Sequence, residues 1–140
     1  MELMNIDSNT VQKYRKQSVA ALLKRAAHYC HKYIRERDKH LPCISCSQFR
    51  TLEAGHYHPG GTVKMLRFNE FNVNGECKQC NYFSGDHLIH YRANLIRKVG
   101  QDKVDELDII AAYNKRVSEK WERIHLIEII EYYRYKLKEL

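Results

Sequence analysis

Apolar residues recur at helical spacing over the N-terminal part of the chain. They follow one another at intervals of three, four and seven residues: Val11, Tyr14, Ala21, Leu22, Ala26, Tyr29 and Tyr33. Such spacing is typical of one apolar face of an α-helix, and either Asp7 or Ser8 can serve as its N-cap. Leu41-Pro42 ends the pattern, because proline lacks a backbone donor and disfavours helical angles in the residue before it. We therefore predict one long helix from about residue 8 to about residue 39.

The pattern changes between residues 42 and 80, where no helical period survives. This stretch holds both prolines of the chain and three consecutive turn formers, Pro59-Gly60-Gly61. Between its turns lie short apolar runs such as residues 62–66. Short runs bounded by turn residues are typical of strands and loops. We predict a compact module of loops with a β-hairpin.

Helical spacing returns after Ser84 and stops at Gly100, and its apolar positions are Leu88, Tyr91, Leu95 and Ile96. A further helix is predicted from Asp102 to about Arg116, and a last one from Ser118 onward. In the last helix apolar and charged residues alternate in an amphipathic pattern. The pairs Ile109-Ile110, Ile129-Ile130 and Tyr132-Tyr133 supply more apolar surface than one small module covers. Either a homodimer contact or ordinary packing within one protomer accounts for this surplus.

These patterns predict a mainly α fold with a small β-hairpin, in three parts. Residues 1–40 form a basic N-terminal helix, residues 41–100 the hairpin module, and residues 101–140 a C-terminal helical segment that is a candidate for dimerisation. No window approaches the roughly 18 apolar residues of a membrane span, and the first twenty residues lack a secretory signal. We therefore expect a cytoplasmic protein without a membrane partner.

Positive charge is concentrated near the N-terminus. The 140-residue chain has a formal net charge of +7. Residues 11–50 hold ten Lys or Arg against two acids, a net of +8, whereas residues 101–140 hold eight against nine, a net of −1. A solvated helix usually interleaves both signs, so the loading with one sign favours a phosphate-facing surface.

The five cysteines favour a metal site over disulfides, because the number is odd and no export signal is present. Two C-x2-C pairs, Cys43/Cys46 and Cys77/Cys80, are separated by 30 residues. Two such knuckles make a closed tetrahedral site of four thiolates, for which Zn²⁺ is the natural occupant. A closed site is structural and not catalytic. The fifth, Cys30, lies among aromatic residues of the first helix and is expected to be a small core residue.

Several polar residues accompany the cysteine pairs at defined spacing. His56 precedes a Gly-rich turn, Asn72 lies five residues before Cys77, and Asn81 directly follows Cys80. Taken singly, each has an ordinary explanation as a loop histidine, a turn residue or a helix N-cap. In combination they resemble the ββα-metal, or HNH, nuclease pattern in its H-N-N form.

Residues 41–100 also resemble the phage NinG (Rap) recombination proteins, and the order of knuckles, histidine and asparagine is similar to junction resolvases of the endonuclease VII type. The segments that carry the likeness are Leu41–Cys46, Ala54–Tyr57, Leu66–Glu70, Asn72–Val73, Cys77–Asn81, Ser84–Gly85 and Tyr91–Arg92.

The resemblance implies roles for three of these residues. His56 would be the general base that takes a proton from the attacking water, and it must be neutral to do so. Asn81 would be a ligand of a catalytic Mg²⁺ or Mn²⁺ ion, and Asn72 would brace the loop that carries His56. One departure is notable: Gly55 stands where many HNH sites have an acidic or histidine metal ligand. Asp86 and His58 are candidates for the missing ligand, whereas His87 and His90 are interpreted as surface or phosphate-facing residues.

By the same resemblance, the substrate would be branched DNA, such as four-way junctions and D-loops, cut by paired nicks in a phage-infected or prophage-bearing bacterium. A homodimer would supply the two active sites, and recombination proteins are candidate partners. The basic residues predicted to bind DNA are Lys13, Arg15, Lys16, Lys24, Arg25, Lys32, Arg35, Arg37, Arg67 and Arg92. Two alternatives stay open: an HNH nuclease that cuts duplex DNA, and a zinc module that binds DNA without cutting it.

Overall fold

In a computed structural model, which describes residues 5–83, 87–114 and 120–140, the chain is mainly helical with one two-stranded antiparallel sheet. The helices and strands are α1 (Ser8–Lys13), α2 (Val19–Asp38), β1 (Leu52–His56), β2 (Val73–Cys77), α3 (His87–Val99), α4 (Gln101–Asn114) and α5 (Arg123–Lys138). Single turns of 3-10 helix and π-helix lie at Lys64–Leu66 and Gln79–Phe83. The mainly helical class with a small hairpin is thus confirmed.

The prediction of one long N-terminal helix is wrong, because the helix is broken at residues 14–18. The hydroxyl of Ser18 accepts the N–H of Ala21 at 3.1 Å and so begins α2 as its N-cap. At the start of α5, the guanidinium of Arg123 binds the carbonyl oxygens of Tyr14 and Gln17. These carbonyls therefore accept hydrogen bonds from a side chain more than 100 residues away in the sequence. The apolar spacing continues across the break because Tyr14 still packs in the core.

The two strands pair with Leu52 opposite Cys77 and His56 opposite Val73. The C-terminal end of α2 is fixed to this hairpin by Asp38, whose carboxylate accepts the backbone N–H of Gly75 at 2.8 Å. The ammonium group of Lys98 on α3 lies 2.9 Å from the same carboxylate. Asp38 is 2% exposed, so this contact is protected from solvent. It joins α2, β2 and α3.

Two apolar clusters flank the hairpin. One fills the space between α2 and α5, and its members include Leu22, Ile34, Ile127, Ile130 and Tyr133. The other joins α3 and α4 to the segment that follows β1, and its members include Val63, Leu66, Leu95 and Leu107. Burial of each such side chain stabilises the fold by about 1.5–3 kcal/mol. The hairpin is held between two cores.

The apolar residues noted in the C-terminal helices are partly buried in the protomer and partly exposed on its surface. Ile129, Ile130 and Tyr133 are buried in the cluster shared with α2, which is packing within one protomer. Ile109 and Tyr113 on α4 are 69% and 61% exposed. A homodimer and the three-part division of the chain stay predictions.

Among the boundaries of the C-terminal helices, the end of α3 agrees with the prediction, whereas the starts of α4 and α5 differ from it. Helix α3 ends at Val99 before Gly100, which has a φ of +93°, a backbone angle that favours glycine. Helix α4 begins at Gln101, and α5 begins at Arg123. The predicted boundaries at Ser84, Arg116 and Ser118 lie outside the described residues. Among the described helices, none combines the length and apolar character that a membrane span requires.

Cys30 is completely buried in the cluster between α2 and α5. Burial raises the pKa of its thiol to about 12, so the group stays protonated near neutral pH. The prediction of a small core residue is confirmed.

Candidate functional site

The four paired cysteines meet at one end of the hairpin. Cys43 and Cys46 lie in a turn that follows α2, Cys77 ends β2, and Cys80 lies in the π-helical turn. Their sulfur atoms all lie within 4.8 Å of one another, and those of Cys46 and Cys77 are 3.9 Å apart. A tetrahedral zinc site with Zn–S bonds of about 2.3 Å needs sulfur atoms about 3.8 Å apart. The cysteines are therefore placed so that they could hold a metal ion such as zinc.

Backbone donors surround the cysteine cluster. The N–H groups of Cys46 and Cys77 lie 3.5 and 3.3 Å from the sulfur of Cys43. The N–H of Ile44 donates to the carbonyl of Gly75 at 3.0 Å, which ties the first knuckle to β2. Burial raises the pKa of Cys43 and of Cys80, whereas hydrogen bonds lower that of Cys46, and a bound dication would favour the thiolate form of all four.

His56 is the last residue of β1, and its ring is held by a backbone carbonyl. Nε2 of His56 lies 2.9 Å from the carbonyl oxygen of Arg67. A carbonyl only accepts, so Nε2 carries the proton and Nδ1 keeps a lone pair when the ring is neutral. Burial is the main cause that lowers the pKa of His56, which favours this neutral form.

The connection after β1 folds back over this ring. A Cβ added to Gly60 would lie 3.1 Å from Nε2 of His56 and 3.0 Å from Cγ of Arg67. Glycine at this position therefore allows the loop to approach the imidazole closely. The Gly-rich turn after His56, noted in the sequence, restricts the room around its ring.

Asn72 joins the two ends of the connection between the strands. Its Oδ1 accepts the N–H of His58 at 2.9 Å, and its Nδ2 donates to the carbonyls of His58 at 2.9 Å and Leu66 at 3.1 Å. The side chain is completely buried. Asn72 thus fixes the backbone two residues after His56. This placement fits the predicted bracing role, which stays a prediction.

The three residues predicted as ligands of a catalytic metal are His58, Asn81 and Asp86. Nε2 of His58 lies 2.8 Å from Asp108, which also accepts a hydrogen bond from Tyr57 at 2.8 Å. One ring nitrogen of His58 is therefore already engaged with an acid on α4. Asn81 lies half-buried in the π-helical turn directly after Cys80. Asp86 lies outside the described residues.

Sequence reasoning missed Glu76, a completely buried carboxylate on β2. Its Oε2 accepts hydrogen bonds from the hydroxyl of Ser45 and from Nδ1 of His87, the latter at 2.8 Å. The side chain of His87 is 20% exposed and is paired with Glu76, so it is only partly at the surface. The interpretation of His87 as a surface or phosphate-facing residue stays a prediction. A carboxylate on a short strand gives no sequence signal of this pairing.

The basic residues predicted to bind DNA fall into two groups. Six are exposed: Lys13, Arg15, Lys16, Lys24, Lys32 and Arg35. Four are partly buried and in contact with other groups of the chain: Arg25 over Tyr14, Arg37 on Asp38, Arg67 over Phe68, and Arg92 on Asp108. Arg37 also donates to the carbonyls of Glu70 and Val73 at 2.7 and 3.0 Å. Its guanidinium therefore has a structural role at the hairpin.

Helix α2, whose basic face is formed by the exposed residues Lys24, Lys32 and Arg35, also carries His31, which lies next to His56. The rings of His31 on α2 and His56 have centroids 6.0 Å apart. Burial is the main cause that lowers the pKa of His31 to about 4, and the positive charges of Arg35 and Arg67 act in the same direction. The positive charge at the end of β1 therefore comes from Arg35 and Arg67, which would favour an anion there.

Comparison with known proteins gives one consistent result. The family model described as "Bacteriophage Lambda NinG protein" matches residues 5–140. Protein ninG of Escherichia phage lambda is 37% identical over 120 residues, which cover 84% of this chain and 56% of that protein. Protein ninG of Salmonella phage P22 is 36% identical over 120 residues, with coverage of 84% and 57%. This chain therefore spans little more than half the length of these curated relatives. No solved structure matches.

Proposed function

The chain belongs to the family of phage NinG proteins, and from this premise we propose that it is a metal-dependent endonuclease that cuts branched DNA. The substrates would be recombination intermediates such as Holliday junctions and D-loops. The observation that carries the proposal is the placement of His56, whose Nε2 is held by the carbonyl of Arg67 and whose ring lies next to His31 of the basic helix α2. Burial lowers the pKa of His56, which favours the neutral imidazole that a general base needs.

His56 acts as the general base. The bond from its Nε2 to the carbonyl of Arg67 fixes the tautomer and the ring orientation. Nδ1 takes the proton from the water that attacks the phosphorus atom. Asn72 holds the following backbone at His58, so the strand end that carries the base keeps its position. A positioned base of this kind contributes about 10²–10⁴-fold to rate.

Two different metal ions serve this function. Zn²⁺ on the four cysteines is structural and holds the turn after α2 to the end of β2. Two residues of the module offer oxygen atoms suited to a hard divalent ion: Asn81 has an amide oxygen, and one oxygen of Glu76 is buried without a partner among the described residues. Bound Mg²⁺ or Mn²⁺ supplies Lewis-acid stabilisation of the charge that develops on the phosphate and the leaving 3′ oxygen.

The basic face of α2 grips the DNA backbone. Lys24, Lys32 and Arg35 are exposed along this helix, and His31 of the same helix lies against His56. Phosphate contacts made there align a strand with the general base without reading its sequence. Such binding weakens steeply with salt.

Structure selectivity follows from pairing of active sites. Symmetric nicking of a four-way junction needs two sites, which a homodimer supplies. Ile109 and Tyr113 of α4 are exposed apolar residues and belong to the surface that such a dimer uses. As a phage-encoded enzyme the protein acts in the cytoplasm of the host cell, together with recombination proteins.

The proposal is tested by cleavage of a labelled four-way junction with and without Mg²⁺. We expect cleavage by the zinc-loaded parent only with the ion, and loss of cleavage in His56→Ala. His125→Ala, which changes an exposed histidine of α5, is the matched control and should cut as fast as the parent. Equal cleavage of plain duplex would indicate an HNH nuclease of another type. Binding without cleavage would indicate a zinc module that does not cut.

A further inference from the structure

The side chain of Glu76 occupies the space in front of Gly55. These two residues lie on the same face of the hairpin. Gly55 pairs with Asn74, cross-strand partners point to the same side, and Glu76 lies two residues along β2 from Asn74. A Cβ added to Gly55 would lie 2.4 Å from Oε1 of Glu76 and 2.7 Å from its Cβ. Contacts this short are not tolerated, so any larger residue at position 55 is incompatible with Glu76 as it stands.

Oε1 of Glu76 has no hydrogen-bond partner among the described residues, although it is buried. An unpartnered polar atom in the interior costs about 1–3 kcal/mol, and more when it is charged. Directly opposite, Glu53 also has a buried oxygen without a partner in the described chain. Like charges opposite each other on a hairpin repel, and a bound cation would relieve that repulsion.

The second oxygen of Glu76 fixes the direction of the first. Oε2 accepts hydrogen bonds from Ser45 on the first cysteine knuckle and from His87 at the start of α3. Two donors from different elements leave the carboxylate little freedom to rotate. Oε1 is therefore held next to the backbone of Gly55, the residue immediately before His56.

We infer that Glu76 supplies the carboxylate ligand of the divalent ion, in place of the side chain that Gly55 lacks. The inference rests on the proposed function, because it concerns the metal of the same site. Gly55 has no side chain that could bind a metal. Glu76 on the neighbouring strand places a carboxylate oxygen where the side chain of residue 55 would lie. Ser45 and His87 are positioning residues that orient this oxygen.

Metal binding tests the inference without any need for activity. Zinc-loaded protein is titrated with Mn²⁺, and the free ion is followed by electron paramagnetic resonance. We expect the parent to bind Mn²⁺, and Glu76→Gln, which keeps the size of the side chain, to bind at least about tenfold more weakly. Glu128→Gln is the matched control, because Glu128 on α5 also has a buried oxygen without a partner among the described residues. It should bind Mn²⁺ as the parent does.

A ligand exchange keeps the test decisive if the single variant loses its zinc. The double variant Gly55→Asp/Glu76→Gly removes both close contacts and returns a carboxylate to the residue before His56. We expect it to regain Mn²⁺ binding to within about tenfold of the parent. Gly55→Asp alone should fold poorly, because Glu76 still fills the space.

The outcomes separate this inference from the proposed function. Parent-like Mn²⁺ affinity in Glu76→Gln, or no Mn²⁺ binding by the parent, overturns the role of Glu76. A parent that binds Mn²⁺ through Glu76 but leaves junctions uncut supports the metal site and overturns the nuclease. Zinc content, measured in every variant by elemental analysis, shows whether the adjacent Cys77 keeps its ion.

Discussion

Nε2 of His56 lies 2.9 Å from the carbonyl oxygen of Arg67, and this one contact determines which nitrogen of the imidazole is free to accept a proton. The ring is neutral near pH 7, because burial lowers the pKa of His56 below its ordinary value of 6.5. A general base works only in its deprotonated form. The hydrogen bond to Arg67 leaves Nδ1 as the nitrogen that can accept a proton, and burial favours the neutral ring. Both effects therefore favour His56 as a general base.

The pH dependence of cleavage follows from this shift. We expect the rate to rise with pH as His56 loses its proton, with the midpoint of the rise below pH 6.5, the ordinary pKa of histidine. Single-turnover rates between about pH 4.5 and 8 measure this profile. A rising limb centred above pH 6.5 would contradict the assignment of the lowered pKa to the catalytic base.

Asn72→Ala should destabilise the protein and slow cleavage. The change leaves the N–H and the carbonyl of His58 without their side-chain partner, and it removes one of the two hydrogen bonds that the carbonyl of Leu66 accepts. We expect the free energy of unfolding, measured with urea, to fall by about 2–4 kcal/mol. Asn9→Ala, which changes an exposed residue of α1, should cost less than about 0.5 kcal/mol. Equal stability of the two variants would argue against the bracing role.

Removal of zinc should unfold the hairpin region. Without the ion, the cysteines take up protons and no longer share a common ligand, so the first knuckle is no longer held to β2 by the metal. We expect Cys77→Ser to lose zinc, measured by elemental analysis, and to lose near-ultraviolet circular dichroism. Cys30→Ala should keep the zinc content of the parent, because Cys30 lies in the core between α2 and α5. Full zinc content in Cys77→Ser would refute the four-cysteine site.

Neutralising the exposed face of α2 should weaken DNA binding. We expect Lys24→Gln, Lys32→Gln and Arg35→Gln together to lower the slope of log affinity against log salt, by about 0.9 for each phosphate that the variant no longer neutralises. Fluorescence anisotropy with a labelled junction, without Mg²⁺, measures this slope. Lys103→Gln on α4 is the control, because Lys103 is paired with Glu106. An unchanged slope in the triple variant would place the DNA elsewhere.

The sequence predicted those features that depend on local spacing. Helices α3, α4 and α5 follow from apolar residues at intervals of three and four, and Gly100 ends α3 as expected. The four cysteines gather as their spacing indicates, because each two-residue loop brings its pair of sulfur atoms together.

The features that the sequence did not predict depend on distant partners. The break between α1 and α2 is stabilised by Arg123 of α5, and no local pattern reveals that bond. Glu76 is buried because Gly55 across the hairpin leaves room for it. Arg37 was predicted to contact DNA because it is one of the basic residues near the N-terminus. Its guanidinium instead donates to Asp38 and to the backbone of the connection between the strands.

The measurement that tests the account most directly is single-turnover cleavage of a labelled four-way junction by zinc-loaded protein. With Mg²⁺ we predict paired nicks by the parent and a rate about 10²–10⁴-fold lower in His56→Ala, with junction binding unchanged. His125→Ala should match the parent. Equal rates for the parent and His56→Ala, or an intact junction bound by the parent with Mg²⁺ present, would contradict the account.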